Sequence, residues 1–203
     1  MIAIRSYVLL AGFLLLTACT GVAGDVVVSI PAYQPLKGTS TLAGIAPTAI
    51  EVGAFRRSVG TGQLPGRIGE RKTIGDISLG MVTIQPAPGR LVRDAFLSEL
   101  KVAGHRIVKS AASALIQGEV QRFALRTDVT AVYWDVILDA RVSVLVKKGS
   151  VQWTNKYTAV CTERTYIWPG DDIIARVVAN CLADLSGKFR NDQDVARVLA
   201  SNP

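Results

Sequence analysis

From Val132 to Val146 every second residue is apolar: Val132, Trp134, Val136, Leu138, Ala140, Val142, Val144 and Val146 alternate with Tyr133, Asp135, Asp139, Arg141 and Ser143, which are mostly polar. A period of two places the apolar set on one side of an extended chain, so the pattern predicts a long strand with one buried and one wet face, as in an antiparallel sheet. Lys147-Lys148-Gly149-Ser150 turns it. On the return, Val151, Trp153, Tyr157, Ala159 and Cys161 continue on one side, interrupted by Asn155. Leu115–Phe123 reads as a preceding strand, in which Gly118 either weakens the middle or admits a close neighbour. Residues 115–161 therefore predict a three-stranded antiparallel meander.

Elsewhere the period lengthens to that of a helix. Val92, Ala95, Phe96, Glu99, Leu100 and Ala103 make a stripe on a helix over Arg90–Ala103, opened by Pro88-Gly89 and stopped by Gly104, with Glu99 as its polar exception. Ile173, Ile174, Val177, Val178, Cys181, Leu182 and Leu185 make a second stripe behind Asp171-Asp172, whose carboxylates suit a helix N-terminus by capping. A short helix over Asp192–Ala200 ends the chain. Before the first helix, Ala49–Phe55 alternates as a core strand ending at Arg56-Arg57, and Val26–Pro31 is one apolar burst within a Gly-, Pro-, Ser- and Thr-bearing stretch. Arg67–Ile74 and Ile77–Ile84 flank Gly75-Asp76, a hairpin signal, inside the Gly- and Pro-rich segment 58–89. That segment reads as a flap, either functional or a solvated excursion. The fold expected is α+β: an antiparallel sheet with two main helices on one face, a hairpin flap and a short C-terminal helix.

The extreme N-terminus fits neither pattern. Arg5 is followed by an apolar run, Tyr7–Leu16, which is short of the roughly 20 residues a membrane-spanning helix needs and has the build of a secretory signal. It closes on Leu16-Thr17-Ala18-Cys19, which resembles the lipobox of bacterial lipoproteins. The resemblance implies cleavage before Cys19, two acyl chains on its sulfur and a third on its new amino group. At about 0.8 kcal/mol per buried methylene, several chains anchor essentially permanently. Thr20, where an aspartate would retain the protein in the inner membrane by enterobacterial rules, implies an outer-membrane, periplasm-facing location. The division expected is a signal peptide at 1–18, a lipidated tether with a short strand at 19–48, and a single α+β domain at 49–203. The alternative is simple secretion with cleavage after Gly24, since Val22-Ala23-Gly24 is also small-residue sequence.

Composition narrows function mainly by exclusion. With 203 residues, 49% hydrophobic and 19% charged, the chain is globular in type. The net charge of +7 falls to +6 once Arg5 leaves with the signal. The basic residues form scattered short pairs, Arg56-Arg57, Arg71-Lys72 and Lys147-Lys148, which suits anionic lipid, lipopolysaccharide or acidic partners better than nucleic acid. One histidine, His105, follows a helix-ending glycine and reads as a solvated or dipole-satisfying residue. One histidine and two core cysteines do not make a zinc set. Asp128, Asp135 and Asp139 read as cross-strand ion-pair partners. Recognition is expected at the wet face around Tyr133, Asp135, Ile137, Asp139 and Arg141, or at the flap through Arg67, Arg71 and Lys72. If Cys19 carries lipid, Cys161 and Cys181 both face the sheet–helix layer, as a disulfide or as two buried thiols; export favours the disulfide.

The order of elements, with Arg67-Ile68-Gly69 in the hairpin and the helix–glycine–strand junction Phe96–Val108, resembles the YajG-type outer-membrane lipoproteins. The resemblance implies no catalytic residues, metal or cofactor. It is consistent with a non-enzymatic accessory, scaffold or binding component held to the membrane by its acyl chains. The alternative is a lipid- or lipopolysaccharide-handling auxiliary of a transport or assembly system.

Overall fold

The computed structural model describes residues 24–58 and 64–201; the Leu16–Cys19 motif lies outside them. Strands β6 (Ala114–Val129), β7 (Trp134–Lys148) and β8 (Val151–Thr165) form the meander, antiparallel throughout. Its register sets Ile116 against Val146 and Leu138 against both Leu125 and Cys161, so the apolar alternation of all three strands faces one layer. Val132, which the alternation places on the long strand, lies instead in the β6–β7 turn. There Thr130 Oγ1 accepts from the Val132 and Tyr133 N–H groups at 3.2 and 3.0 Å.

The remaining strands extend the sheet from the other side of β6. These are β1 (Val26–Ser29), β2 (Ala49–Arg57), β3 (Arg67–Lys72), β4 (Ser78–Gln85) and β5 (Arg106–Ile107), in the order β1-β4-β3-β6-β2-β5. The sheet is mixed: β2 runs parallel to β5 and β6, β1 runs parallel to β4, and the β3–β4 hairpin is antiparallel. One side of β6 is shared, with β2 alongside Ala114–Val120 and β3 meeting it at Leu125. The hairpin is thus part of the sheet and not a projecting excursion. Gly118 is where β2 presses closest: a Cβ there would stand 2.5 Å from the Phe55 ring. The sequence allowed for such a neighbour, and the aromatic ring is it.

Helices α1 (Pro88–Val102) and α2 (Asp171–Arg190) cover one face of the sheet, and α3 (Gln193–Ala200) packs near the β7–β8 turn. Phe96 of α1 stacks on Phe189 of α2 with centroids 4.3 Å apart, and Phe55 meets Phe96 edge-on at 5.7 Å. Asp192 caps α3, accepting from the Asp194 and Val195 N–H groups; its other oxygen accepts from the Asn155 amide and the Tyr157 hydroxyl. Asn155 interrupts the apolar alternation of β8 because it serves this cap. No helix among the described residues is long and apolar enough to cross a membrane.

Several readings off the sequence differ from the structure: β6, for one, runs on to Val129, past the expected end at Phe123. The domain does not begin at 49: β1 is hydrogen-bonded to β4, and Val28, Ile30 and Leu42 belong to the same core as the meander. Short apolar bursts amid small polar residues look like a tether because their burial depends on partners far along the chain. Asp171 and Asp172 do not cap α2 through their side chains. Gly170 is the N-cap, and the carboxylates occupy the first turn, where they still complement the helix dipole.

Candidate functional site

The described chain begins by docking onto β4. The Gly24 N–H donates to the Leu79 carbonyl at 2.8 Å, and Asp25 Oδ1 accepts from the Met81 N–H at 2.8 Å. Between those residues Gly80 has φ +117°, and a Cβ there would fall 2.0 Å from the Gly24 oxygen, so only glycine lets the two backbones approach. The Gly24 carbonyl is in turn held by Arg71, whose Nη2 donates to it at 2.7 Å. The Arg71 guanidinium stands 5.1 Å from the Trp168 ring centroid, and Trp168 packs at 4.9 Å on Trp134. Burial lowers the Arg71 pKa, against the opposing pull of Asp171 and Asp25. Arg71 and Leu79–Met81 together hold Gly24 and Asp25 against the sheet, with Trp168 and Trp134 packed beside the Arg71 guanidinium.

Arg71 is therefore not the exposed recognition residue expected of it. It is buried, with its guanidinium turned onto the Gly24 carbonyl and the Trp168 ring. Lys72 does face solvent, and its Nζ pairs with Asp76 at 3.2 Å. Arg67 sits at the other end of β3, half-buried, its carbonyl accepting from Arg57 Nη1 at 2.7 Å. The three basic residues of the hairpin do not form one patch.

Of the wet-face residues, Asp135, Asp139 and Arg141 share one surface and the two carboxylates are paired, whereas Ile137, expected beside them, is buried. Asp135 takes both bonds from Arg164 at 2.8 Å, and that guanidinium lies 3.8 Å from the Tyr133 ring centroid. The Arg164 hydrogen bond holds the Asp135 carboxyl below its usual range. Asp139 pairs with Arg122 at 2.6 Å; Arg141 stands opposite Arg122 in the register and is exposed. Exposed pairs of this kind are screened by solvent and salt and contribute little to stability. A depression of about 750 Å³ opens nearby and is lined by Arg56, Arg57, Gln117, Glu119 and Ser143 among others.

His105 is buried, contrary to the solvated placement expected after a helix-ending glycine. Its Nδ1 accepts from the Thr48 N–H at 3.2 Å, which puts the proton on Nε2, where no well-formed hydrogen bond receives it. Burial pushes the His105 pKa down, the Leu42 backbone partly opposes this, and the charge of Lys148 adds to the depression. A histidine depressed in the folded state contributes stability that is present above its unfolded pKa of about 6.5 and lost as the pH falls through the folded value. As the only histidine in the chain, its imidazole resonances can be followed alone by NMR. We expect a midpoint below 6.5; a midpoint at or above that value would contradict the burial described.

Cys161 and Cys181 are bonded, joining β8 to α2 with their Cα atoms 5.6 Å apart. Of the residues around Gly24, the sequence marks out Arg71 by charge and Trp134 by alternation; Gly80 and Trp168 carry no local signal of their part, because it depends on contacts far along the chain.

No protein-family model matches the chain, and neither does any curated protein sequence. Among solved structures, a Xanthomonas campestris protein of family DUF330 aligns with a TM-score of 0.57 at 8% identity, over 85% of this chain and 97% of that one. A minor lipoprotein from Acinetobacter baumannii aligns at 0.41 with 8% identity, over 78% and 99% of the two chains. The Chlamydia trachomatis protein CT253 aligns at 0.44 with 7% identity, over 77% and 100%. At such identities the likeness is one of fold, and this chain shares its α+β architecture with the Xanthomonas protein along nearly the whole of that molecule.

Proposed function

We propose that the chain is a lipid-anchored, periplasm-facing envelope lipoprotein of the YajG type, a non-enzymatic accessory or binding component tethered through Cys19 to the outer membrane. The observation that carries this reading is the place of Gly24. Its carbonyl is the acceptor for the buried Arg71 and its N–H is bonded to β4. Cleavage after Gly24, the rival processing site, would strip a buried guanidinium of its best acceptor. Cleavage before Cys19 leaves Gly24 in the mature domain. Five peptide steps then separate the acylated residue from the sheet, a reach of at most about 18 Å, so the domain works at the membrane surface. The depression on the wet face, with Arg56, Arg57 and Glu119 in its lining, suits polar contacts and not an acyl chain, which ranks a lipid carrier below a binding component.

Intact mass and N-terminal analysis of the full-length protein, purified from membranes of an envelope-bearing bacterial host, tests the reading. The expected product begins at Cys19 and carries acyl mass there, and Cys19→Ala leaves the protein unacylated and no longer membrane-held. A mature chain beginning at Asp25 without acyl mass would refute it.

A further inference from the structure

Four turns and termini, far apart in sequence, lie at one end of the sheet. β3 runs in the direction of β6, and Thr127 Oγ1 both accepts from the Lys72 N–H at 2.8 Å and donates to the Lys72 carbonyl at 3.0 Å. The hairpin tip 73–77 therefore lies beside the β6–β7 turn 130–133. Thr165 at the end of β8 pairs with Trp134 at the start of β7, which brings the 166–170 loop to the same end. β1 and β4 run parallel and away from it, so Gly24 starts there too.

This end carries Ile74, Ile77, Val132, Tyr166 and Ile167, each between 57% and 75% exposed and together about half of the large hydrophobic residues exposed among the described residues. They project from turns, where no strand pairing requires apolar side chains. The cations at this end are engaged: Lys72 with Asp76, Arg126 with Asp128 and Arg164 with Asp135, while Arg71 is buried on Gly24. Lys101, Arg106, Lys109 and Lys147 are exposed towards the opposite end, where β2 and β6 begin and β7 finishes. A strand of fifteen residues spans about 50 Å. Those distal cations lie several screening lengths of roughly 10 Å from anything the anchored end touches.

We propose that the anchored end is a bilayer-contact surface, on which Ile74, Ile77, Val132, Tyr166 and Ile167 enter the head-group boundary of the leaflet that holds the acyl chains of Cys19. This rests on the lipoprotein reading above. The occupant is a lipid surface because the tether ends on this face and is too short to present another one to the membrane. Contact is made by apolar insertion of the loop tips, not by attraction of the net positive charge to anionic head groups. The basic pole points away from the membrane.

The test is hydrogen–deuterium exchange on the acylated full-length protein in phosphatidylcholine vesicles, compared with Cys19→Ala protein mixed with the same vesicles. Exchange at 73–77, 130–133 and 166–170 should slow by on the order of tenfold in the acylated protein, while the 108–113 loop at the far end stays unchanged. Adding anionic phosphatidylglycerol should leave the pattern as it is. An acylated, well-folded Ile74→Ser/Ile77→Ser/Ile167→Ser variant should lose the protection. Unprotected tips on protein whose acyl mass is verified would overturn the bilayer contact and leave the lipoprotein reading standing; absence of acyl mass would overturn both. Protection that requires anionic lipid, or that appears only when an envelope protein extract is added, would overturn the proposal in favour of a charge-driven or protein-filled surface.

Discussion

Glu99→Ala is expected to cost about 3–5 kcal/mol of stability, because it leaves a buried guanidinium without its counter-charge. Glu99 projects from the core stripe of α1 and meets Arg190 of α2 at 3.2 Å, with side chains 1% and 4% exposed. The second carboxylate oxygen accepts from the Tyr33 hydroxyl at 2.7 Å and the Leu36 N–H at 2.8 Å. Arg190 donates onward to the carbonyls of Leu36, Gly38 and Thr39 at 2.7, 2.5 and 2.9 Å. Burial first, and then the bond to Glu99, push the Tyr33 pKa upwards. The pair thus fastens the segment between β1 and β2 across both helices, and truncation strands one cation and two donors at once. Urea unfolding should show the midpoint falling with little change in slope. Exchange of the 33–39 amides should quicken. The Glu99→Ala/Arg190→Ala double variant should lose less than the sum of the two single variants, since the charge left uncompensated by either one is then gone. A loss under about 1 kcal/mol for Glu99→Ala would mean the pair is solvated and does not fasten that segment.

The position of Glu99 was legible in the sequence as a charge on an apolar stripe, yet its purpose was not. The partner lies some ninety residues on, at the end of a helix where a basic residue has an ordinary reason to be, and the donors come from a segment with no periodicity. The same contrast runs through the fold. The meander and the two main helices could be read because their signal is local: a period of two or of 3.6, stopped by glycine or proline. The parallel pairings of β1 with β4 and β2 with β6 left no such trace, because they join segments far apart in the chain and neither segment's own pattern names its partner. The contacts that hold Gly24 left little local trace as well: they are assembled around Gly80, Trp168 and Arg71, of which only Arg71 stands out in the sequence, by its charge. Arg71 stands out as a candidate recognition residue of the flap and is buried instead, since an arginine turned onto a carbonyl and an indole follows neither alternation nor hydropathy.

Reducing the Cys161–Cys181 bond should lower stability by about 3 kcal/mol, the chain-entropy value for a loop of this length. The bond closes a loop of 20 residues by sequence separation, running from the end of β8 through Tyr166–Gly170 into the middle of α2. Inside it lie Trp168, which packs on Trp134 and Arg71, and the loop that carries Tyr166 and Ile167. Freed of the bond, this loop gains freedom chiefly in the unfolded chain, so the native fold should persist with a lower threshold. For a domain of this size a loss of 3 kcal/mol corresponds to a fall in Tm of roughly 6–12 °C. Oxidised and reduced protein compared by thermal unfolding give the measurement, and the Cys161→Ala/Cys181→Ala variant should be insensitive to reductant. Equal melting of oxidised and reduced wild-type protein would show that α2 is held on β8 by packing alone. The expected loss instead makes the bond a restriction on the unfolded chain that favours the fold in which Trp168 packs on Trp134 beside Arg71.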